Sequence, residues 1–252
     1  MNKTAKTLCF GVLSALILFC VILSVIKVPK IMSAESFAAE QSLKTVVVDA
    51  GHGGIDPGAV SAEGIFEKDI NLSVSECLSD FLNAFGYNVI MTRSDDNLIG
   101  NLDNDSVRDA KRSDIKKRLE ISEQAENSIL LSIHQNKFSN PKYSGTQVFY
   151  SSNNPLSNSL ACCIQSDVSR LLQPQNDRQI KAVGKEIYLL FHSQKPAVMV
   201  ECGFISNADE LSDLLSAEYQ KKLCFCILNG VLDLTAHRIR YKGKDVCYEK
   251  DL

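Results

Sequence analysis

The chain has 252 residues, 45% of them hydrophobic, enough for one domain of ordinary size with a substantial core. Its formal net charge of −3, with no basic patch carrying interleaved aromatics, argues against nucleic acid as a partner. The nine cysteines are an odd number without any Cys-x-x-Cys, which argues against a disulfide framework and a structural zinc site; most read as small buried apolar residues.

Leu8 to Ile26 is a nineteen-residue apolar run, preceded by Lys3 and Lys6 and followed by Lys27 and Lys30. At about 1.5 Å per helical residue it reaches roughly 28 Å, close to a bilayer core. Residues 1–30 therefore read as a signal or membrane-anchor segment. Ser36-Phe37-Ala38 before Ala39 offers a cleavage site, so a retained anchor and a cleaved signal both stay open. Cys20 lies inside the apolar run behind bulky Phe19 and is a poor lipid-attachment site. The remainder is expected to be exported, working at the outer face of the cytoplasmic membrane or beyond it. Residues 31–43 are a polar linker, 44–237 the folded domain, and 238–252 a polar tail.

The domain opens on Val46-Val47-Val48-Asp49-Ala50-Gly51-His52-Gly53-Gly54. Three β-branched residues in a row read as a buried parallel strand, near 44–49. It stops at a glycine turn carrying His52. Ligands gather at the carboxyl ends of strands in open α/β sheets, but an incidental histidine in a glycine-rich turn is an equal reading. A phosphate-binding loop lacks its Gly-Lys-Ser/Thr. From Asp69 the spacing of Ile70, Val74, Cys77, Leu78, Phe81 and Phe85 predicts a helix, stopped by Gly86. Tyr87–Thr92 is a second strand. Residues 94–112 are polar and weakly patterned and read as a surface loop, followed by a helix from about Ile115 to Ala125 capped by Ser113 or Asp114. Ser128–Ile133 is a third buried strand ending in His134, and Gly145–Tyr150 a fourth. Asn154-Pro155 opens a helix in the favoured order, with Leu156, Leu160, Cys163, Ile164, Val168 and Leu171 on its core face. A polar loop over 173–184 leads to a short strand over Glu186–Leu190. Pro196–Val200 is the last strand and delivers Glu201. Two helices follow, one capped by Asn207 and one over about 218–236. Strands alternating with helices predict a single α/β domain: a mostly parallel twisted sheet of about five or six strands, with helices on both faces.

Three apolar strands thus lead to His52, His134 and Glu201, and a strand-to-helix loop carries Glu67. A catalytic zinc uses three nitrogen or oxygen ligands and keeps a fourth position for water. His52, Glu67 and His134 would fill the three, and Glu201 suits the carboxylate that moves the water's proton. Glu63, four residues before Glu67, is the rival third ligand.

These residues also carry a family resemblance. Asp49-Ala50-Gly51-His52-Gly53-Gly54, Asp56-Pro57-Gly58-Ala59, Glu67-Lys68, Ser132-Ile133-His134-Gln135-Asn136 and Val200-Glu201-Cys202-Gly203-Phe204-Ile205-Ser206-Asn207, in that order, resemble the zinc-dependent N-acetylmuramoyl-L-alanine amidases over about 44–236. The resemblance implies one Zn2+ per chain on His52, Glu67 and His134, a catalytic Glu201, and cleavage of the amide between N-acetylmuramic acid and L-alanine in peptidoglycan. Small size, an export segment and no wall-binding repeat look most like the germination-specific amidases of spore formers, which strip stem peptides so that muramic-δ-lactam forms in the cortex. Targeting then falls to the membrane segment or to a partner protein. Gln135 departs from the small residue usual after the second histidine, an expected narrowing of the site.

Arg93, Asn136 and Lys181 are the candidate substrate-binding residues, with a structural salt bridge the equal reading for Arg93 and a solvated loop the reading favoured for Lys181 and Lys185. His192 reads as a surface or packed histidine, His237 as a partner of a helix C-terminus, and Cys202 as core. Rival functions are another exported zinc hydrolase, a peptidase or deacetylase, and a wall-binding protein without turnover.

Overall fold

The computed structural model describes residues 43–100 and 106–235. The proposed export segment over 1–30, the linker up to residue 42 and the tail over 238–252 lie outside them. Among the described residues no helix is long and apolar enough to cross a membrane.

Six strands form one sheet: β1 (Thr45–Ala50), β2 (Asn88–Met91), β3 (Ser128–Asn136), β4 (Gln147–Tyr150), β5 (Lys181–Ala182) and β6 (Ala197–Phe204). Their order is β2-β1-β3-β6-β4-β5, with β2, β1, β3 and β6 parallel and the β4-β5 pair running against them. The helices are α1 (Glu67–Ala84), α2 (Val107–Gln124), α3 (Pro155–Leu171), α4 (Tyr188–His192), α5 (Ala208–Leu215) and α6 (Ala217–Thr235). This is the expected mostly parallel α/β sandwich.

The β-branched run of β1 is buried on both faces, which is why its sequence is continuously apolar rather than alternating. Val46 and Val48 belong to the larger core with Ile70, Val74, Leu78, Ile164 and Ile227, contributed by α1, α3 and α6. Val47 faces the smaller core with Leu130, Leu189, Leu190 and Met199, roofed by α2 and α4. Gly86 ends α1 in a left-handed conformation (φ 86°), and Asn154 caps α3 by accepting from the Leu156 N–H at 3.0 Å. Asn207 caps α5 through the Asp209 and Glu210 N–H groups, both at 3.1 Å. Leu171 and Phe85, placed in the core by spacing, lie on the surface.

Several expectations need correction. Helix α1 starts two residues early, at Glu67, because loop carbonyls cap it: the Glu67 and Lys68 N–H groups donate to Ala59 and Pro57 at 2.9 and 3.2 Å. The supposed loop over 94–112 already contains the start of α2, whose cap is Ser106 rather than Ser113 or Asp114. The inward stripe of α2 is Ala110, Asp114, Arg118 and Ser122, a four-residue repeat that is polar, so apolar periodicity passes it by. Helix α4, Tyr188–His192, stands where a strand over Glu186–Leu190 was expected, and the strand of that region is the exposed pair Lys181–Ala182. A five-residue apolar run does not distinguish helix from strand by period. Strands β3 and β6 also run past His134 and Glu201, so both residues sit within paired strands.

Helices α3 and α6 cross closely at Gly230, where an added Cβ would lie 2.7 Å from the Ile164 nitrogen and 2.8 Å from its Cα. Alanine there gains about 1 kcal/mol of helix propensity. Overpacking against backbone costs about 1–3 kcal/mol and outweighs it. Gly230→Ala is expected to lower the urea midpoint without changing the slope of the transition.

Candidate active site

The site is built from the turn after β1. His52 has a positive φ of 63°, rare for a residue with a Cβ and costing about 1–2 kcal/mol. Two guanidinium groups hold this backbone. The Ala50 carbonyl accepts from Arg93 Nε at 2.8 Å and Arg118 Nη1 at 2.6 Å. The Gly51 carbonyl accepts from Arg93 Nη2 at 3.0 Å and Asn71 Nδ2 at 3.1 Å, and the His52 carbonyl from Arg118 Nη2 at 2.6 Å. Arg118 is 1% exposed and is neutralised by Asp49 at 2.7 Å and Asp114 at 2.6 Å. Burial works against the Asp49 charge, but Arg118, Ser132 and Thr92 hold its pKa below the usual carboxylate range.

Around the turn, three donor groups converge. His52 Nδ1 donates to Asp56 Oδ2 at 2.8 Å, which leaves Nε2 facing Glu67 Oε1 at 3.3 Å. His134 Nδ1 lies 3.0 Å from the same Glu67 oxygen. The rings are edge-on, with centroids 5.0 Å apart. Ligand atoms of His52, Glu67 and His134 all fall within 4.8 Å of one another, the one such group of metal-binding side chains among the described residues. Glu67 is oriented by the Ala59 N–H on Oε2 at 2.8 Å, and by the Gln135 N–H and Asn71 Nδ2 on Oε1 at 3.1 and 3.2 Å. Burial raises its pKa, yet the two histidines outweigh burial and hold it well below the usual range. Burial likewise opposes the His52 imidazolium, but Asp56 and Glu67 push its pKa up to about 9.

Glu201 lies opposite His134 in the β3–β6 register. Burial, with the Glu67 charge adding to it against the two histidines, pushes its pKa up to about 7. Its buried Oε2 has no hydrogen-bond partner among the described residues. One edge of the sheet thus holds an ionised carboxylate between two imidazoles and a second carboxyl poised to exchange a proton at neutral pH. The donor set fits a divalent cation in size and chemistry, and glycines keep it open. A Cβ on Gly51 would sit 2.3 Å from His134 Nε2, and one on Gly58 would sit 2.6 Å from Glu67 Oε2.

Residues 46–233 match the family of N-acetylmuramoyl-L-alanine amidases. The chain belongs to that family. It is 33% identical over 189 residues to the germination-specific N-acetylmuramoyl-L-alanine amidase of Bacillus subtilis, covering 75% of this chain and 78% of the relative. It is also 38% identical over 190 residues to the Bacillus subtilis protein YqiI, covering 75% and 83%. Among solved structures it is similar to the CwlD amidase of Clostridioides difficile in complex with the GerS lipoprotein. That likeness has a TM-score of 0.74 and 37% identity, covering 77% of this chain and 99% of that one.

Within the amidase fold, the other residues singled out by sequence fall in different places. Glu63 is exposed, so it is Glu67 that joins the histidines. Arg93 is 4% exposed, and its donors go to the carbonyls of Ala50, Gly51, Lys68 and Asp95, so that it braces the turn through its main chain. Asn136 lies partly exposed at the end of β3, where its carbonyl accepts from Ile205 N at 2.9 Å. Lys181 is exposed on edge strand β5, separated from β6 by β4. Gln135 does not narrow the opening: its side chain turns behind Glu67 to donate to Asn71 Oδ1 at 3.1 Å. Cys202 is fully buried, and burial pushes its thiol pKa up to about 12, as suits a core residue. His192 lies exposed on α4 against Tyr188.

Sequence reasoning assigned no role to Asp56, Asn71 or Arg118. The signals were local: Asp56 is four residues after His52, Asn71 four after Glu67, and Arg118 four after Asp114. Gly51→Ala is expected to push the His134 ring out of the cluster and abolish calorimetric uptake of Zn2+ by the metal-free amidase, while leaving the circular dichroism spectrum intact.

Proposed function

We propose that this peptidoglycan amidase is an exported, zinc-dependent enzyme that removes stem peptides from the spore cortex by cleaving the bond between the lactyl group of N-acetylmuramic acid and L-alanine. The observation that carries the zinc reading is the convergence of His52 Nε2, Glu67 Oε1 and His134 Nδ1 beside a Glu201 carboxyl with an unpartnered oxygen. His52, Glu67 and His134 would hold the ion. When bound, Zn2+ supplies a Lewis acid that polarises the scissile carbonyl and lowers the pKa of water toward 7.

The chain's own residues supply the rest. Glu201 takes a proton from the attacking water as its oxygen bonds to the lactyl carbon, and gives that proton to the alanine nitrogen as the C–N bond breaks. A carboxyl pushed up to about 7 is suited to both halves of that transfer. Asp56 keeps the Nδ1 proton on His52, so that Nε2 is the nitrogen that would give up its proton to hold the ion. Asn136 and Lys181 remain candidates for substrate contact, and Asn136 is favoured by its place two residues beyond His134 on the same strand.

The germination-specific relative supports the cortex role, and the apolar run Leu8–Ile26 supports export, as an anchor or as a cleaved signal. The CwlD relative was solved with a lipoprotein, which supports a partner protein of that kind for targeting or activation here.

Glu201→Gln is expected to bind zinc as the parent does and to lose at least about 10²-fold in turnover, the scale of one general acid–base group. The assay is mass spectrometry of digested cortex sacculi. The parent should release intact stem peptides with a free L-alanine amino terminus and leave peptide-free sugars. Cleavage within the stem, or loss of acetyl groups alone, would replace this function with a peptidase or a deacetylase.

A further inference from the structure

His52 is the one member of the metal-binding cluster that sits in neither a strand nor a helix. Its ring and its backbone are both held, and α2 stands behind each: through Asp56 on the ring side, and beside Arg93 and Asn71 on the backbone side. On the ring side, Nδ1 bonds to Asp56 Oδ2, and the other Asp56 oxygen pairs with Lys111 Nζ at 2.6 Å. On the backbone side, Arg118 Nη1 and Nη2 bind the Ala50 and His52 carbonyls, both at 2.6 Å. Lys111 and Arg118 are seven residues apart, two turns of α2 along one face.

We propose that Lys111 and Arg118 are positioning residues for the metal ligand His52, with α2 acting as the arm that presents it. This rests on the zinc reading above. The most deeply buried face of α2 is Ala110, Asp114, Arg118 and Ser122, while its Ile115, Leu119 and Ile121 are only half-buried against the smaller core, so its deepest contacts are polar. A buried ion pair set in that face is weak evidence for stability and better evidence for fixing a geometry. What Arg118 fixes is the peptide path through a left-handed residue. What Lys111 fixes is the carboxylate that decides which nitrogen of His52 carries its hydrogen. Without Lys111, Asp56 Oδ1 keeps the Gly58 N–H at 3.3 Å, a single long bond that leaves the carboxylate free to turn. Groups that orient a ligand in this way are worth about 10–100-fold in metal affinity.

The test measures the Zn2+ dissociation constant of the full chain by competition with a chromophoric chelator at fixed pH, beside the urea midpoint of the metal-free protein. Lys111 is exposed, so Lys111→Met should leave the midpoint near the parental value and weaken zinc binding by about 10–100-fold. Lys111→Arg should restore most of the affinity, and Arg118→Lys should weaken zinc binding beyond what its lowered midpoint explains. Lys117→Met, which removes only an exposed pair with Glu120 on the same helix, should change neither quantity. Parental zinc affinity in both Lys111→Met and Arg118→Lys, or a loss that only tracks stability, overturns the proposal. A parental chain that takes up no zinc overturns the zinc reading itself, and the positioning role with it.

Discussion

The arrangement of the active site depends on one buried charge. Arg118 is enclosed in the protein with Asp49 and Asp114 as its counter-ions, and its remaining donors go to main-chain carbonyls of the turn that carries His52. Taking such ions out of water has a desolvation penalty of several kcal/mol each, which a salt bridge in the interior repays only with good geometry and full hydrogen bonding. Here both conditions hold, because Asp49 is also met by Thr92 Oγ1 at 2.8 Å and Ser132 Oγ at 2.6 Å. Those hydroxyls come from β3 and from the residue just past β2, so the network ties three neighbouring strands to α2 at the level where β1 ends. Apolar residues of equal volume would fill the space as well. They would leave the Ala50 carbonyl with Arg93 alone and the His52 carbonyl without this donor, in a segment already holding a left-handed residue.

The same edge of the sheet separates two carboxyl groups chemically. Glu67 and Glu201 are both largely buried, and burial alone would raise both. Glu67 has two imidazoles and three N–H donors converging on it, so it stays ionised. Glu201 faces those groups from the neighbouring strand with one oxygen unpartnered, and it feels the negative charge of Glu67 as well. The hydrogen bonds, rather than the burial, therefore divide an ionised carboxylate from a carboxyl whose pKa is pushed up to about 7. The division is set by where the residues lie, one in a capped first helical turn and one in the middle of a strand.

Much of this was readable from the chain alone, wherever a residue's role follows from its own segment. The β1 run, the caps at Asn154 and Asn207, the Gly86 stop and the strand positions leading to His134 and Glu201 each follow from local pattern. Helix α2 was not legible as a helix over its first two turns, because its inward residues are charged and polar and its burial depends on partners far along the chain. Arg118 reaches Asp49, sixty-nine residues away. Arg93 was legible as a residue of interest but not by role, since a buried arginine donating to carbonyls leaves no partner side chain to read. Gln135 looked like an obstruction because a large residue stands where the resemblance has a small one, and a family pattern does not say that Asn71, sixty-four residues away, takes up its amide in the interior.

These elements differ in how rigidly they place a side chain, and that difference explains the architecture around His52, Glu67 and His134. His134 and Glu201 lie on β3 and β6, paired strands near the centre of the sheet. Glu67 lies in a helix turn whose exposed N–H groups are closed by the Ala59 and Pro57 carbonyls. Strands and capped helices hold their side chains through their own ladders, whereas a glycine-flanked turn does not. His52 must leave β1 sharply enough to face Glu67, which requires the flexible turn and the positive φ. The flexibility that makes the geometry reachable is the reason for the dense set of donors behind it, from Arg93, Arg118 and Asn71 on the carbonyls and from Asp56 on the ring. A histidine presented from within a strand, as His134 is, needs no such set of donors, because the ladder on either side already fixes its backbone.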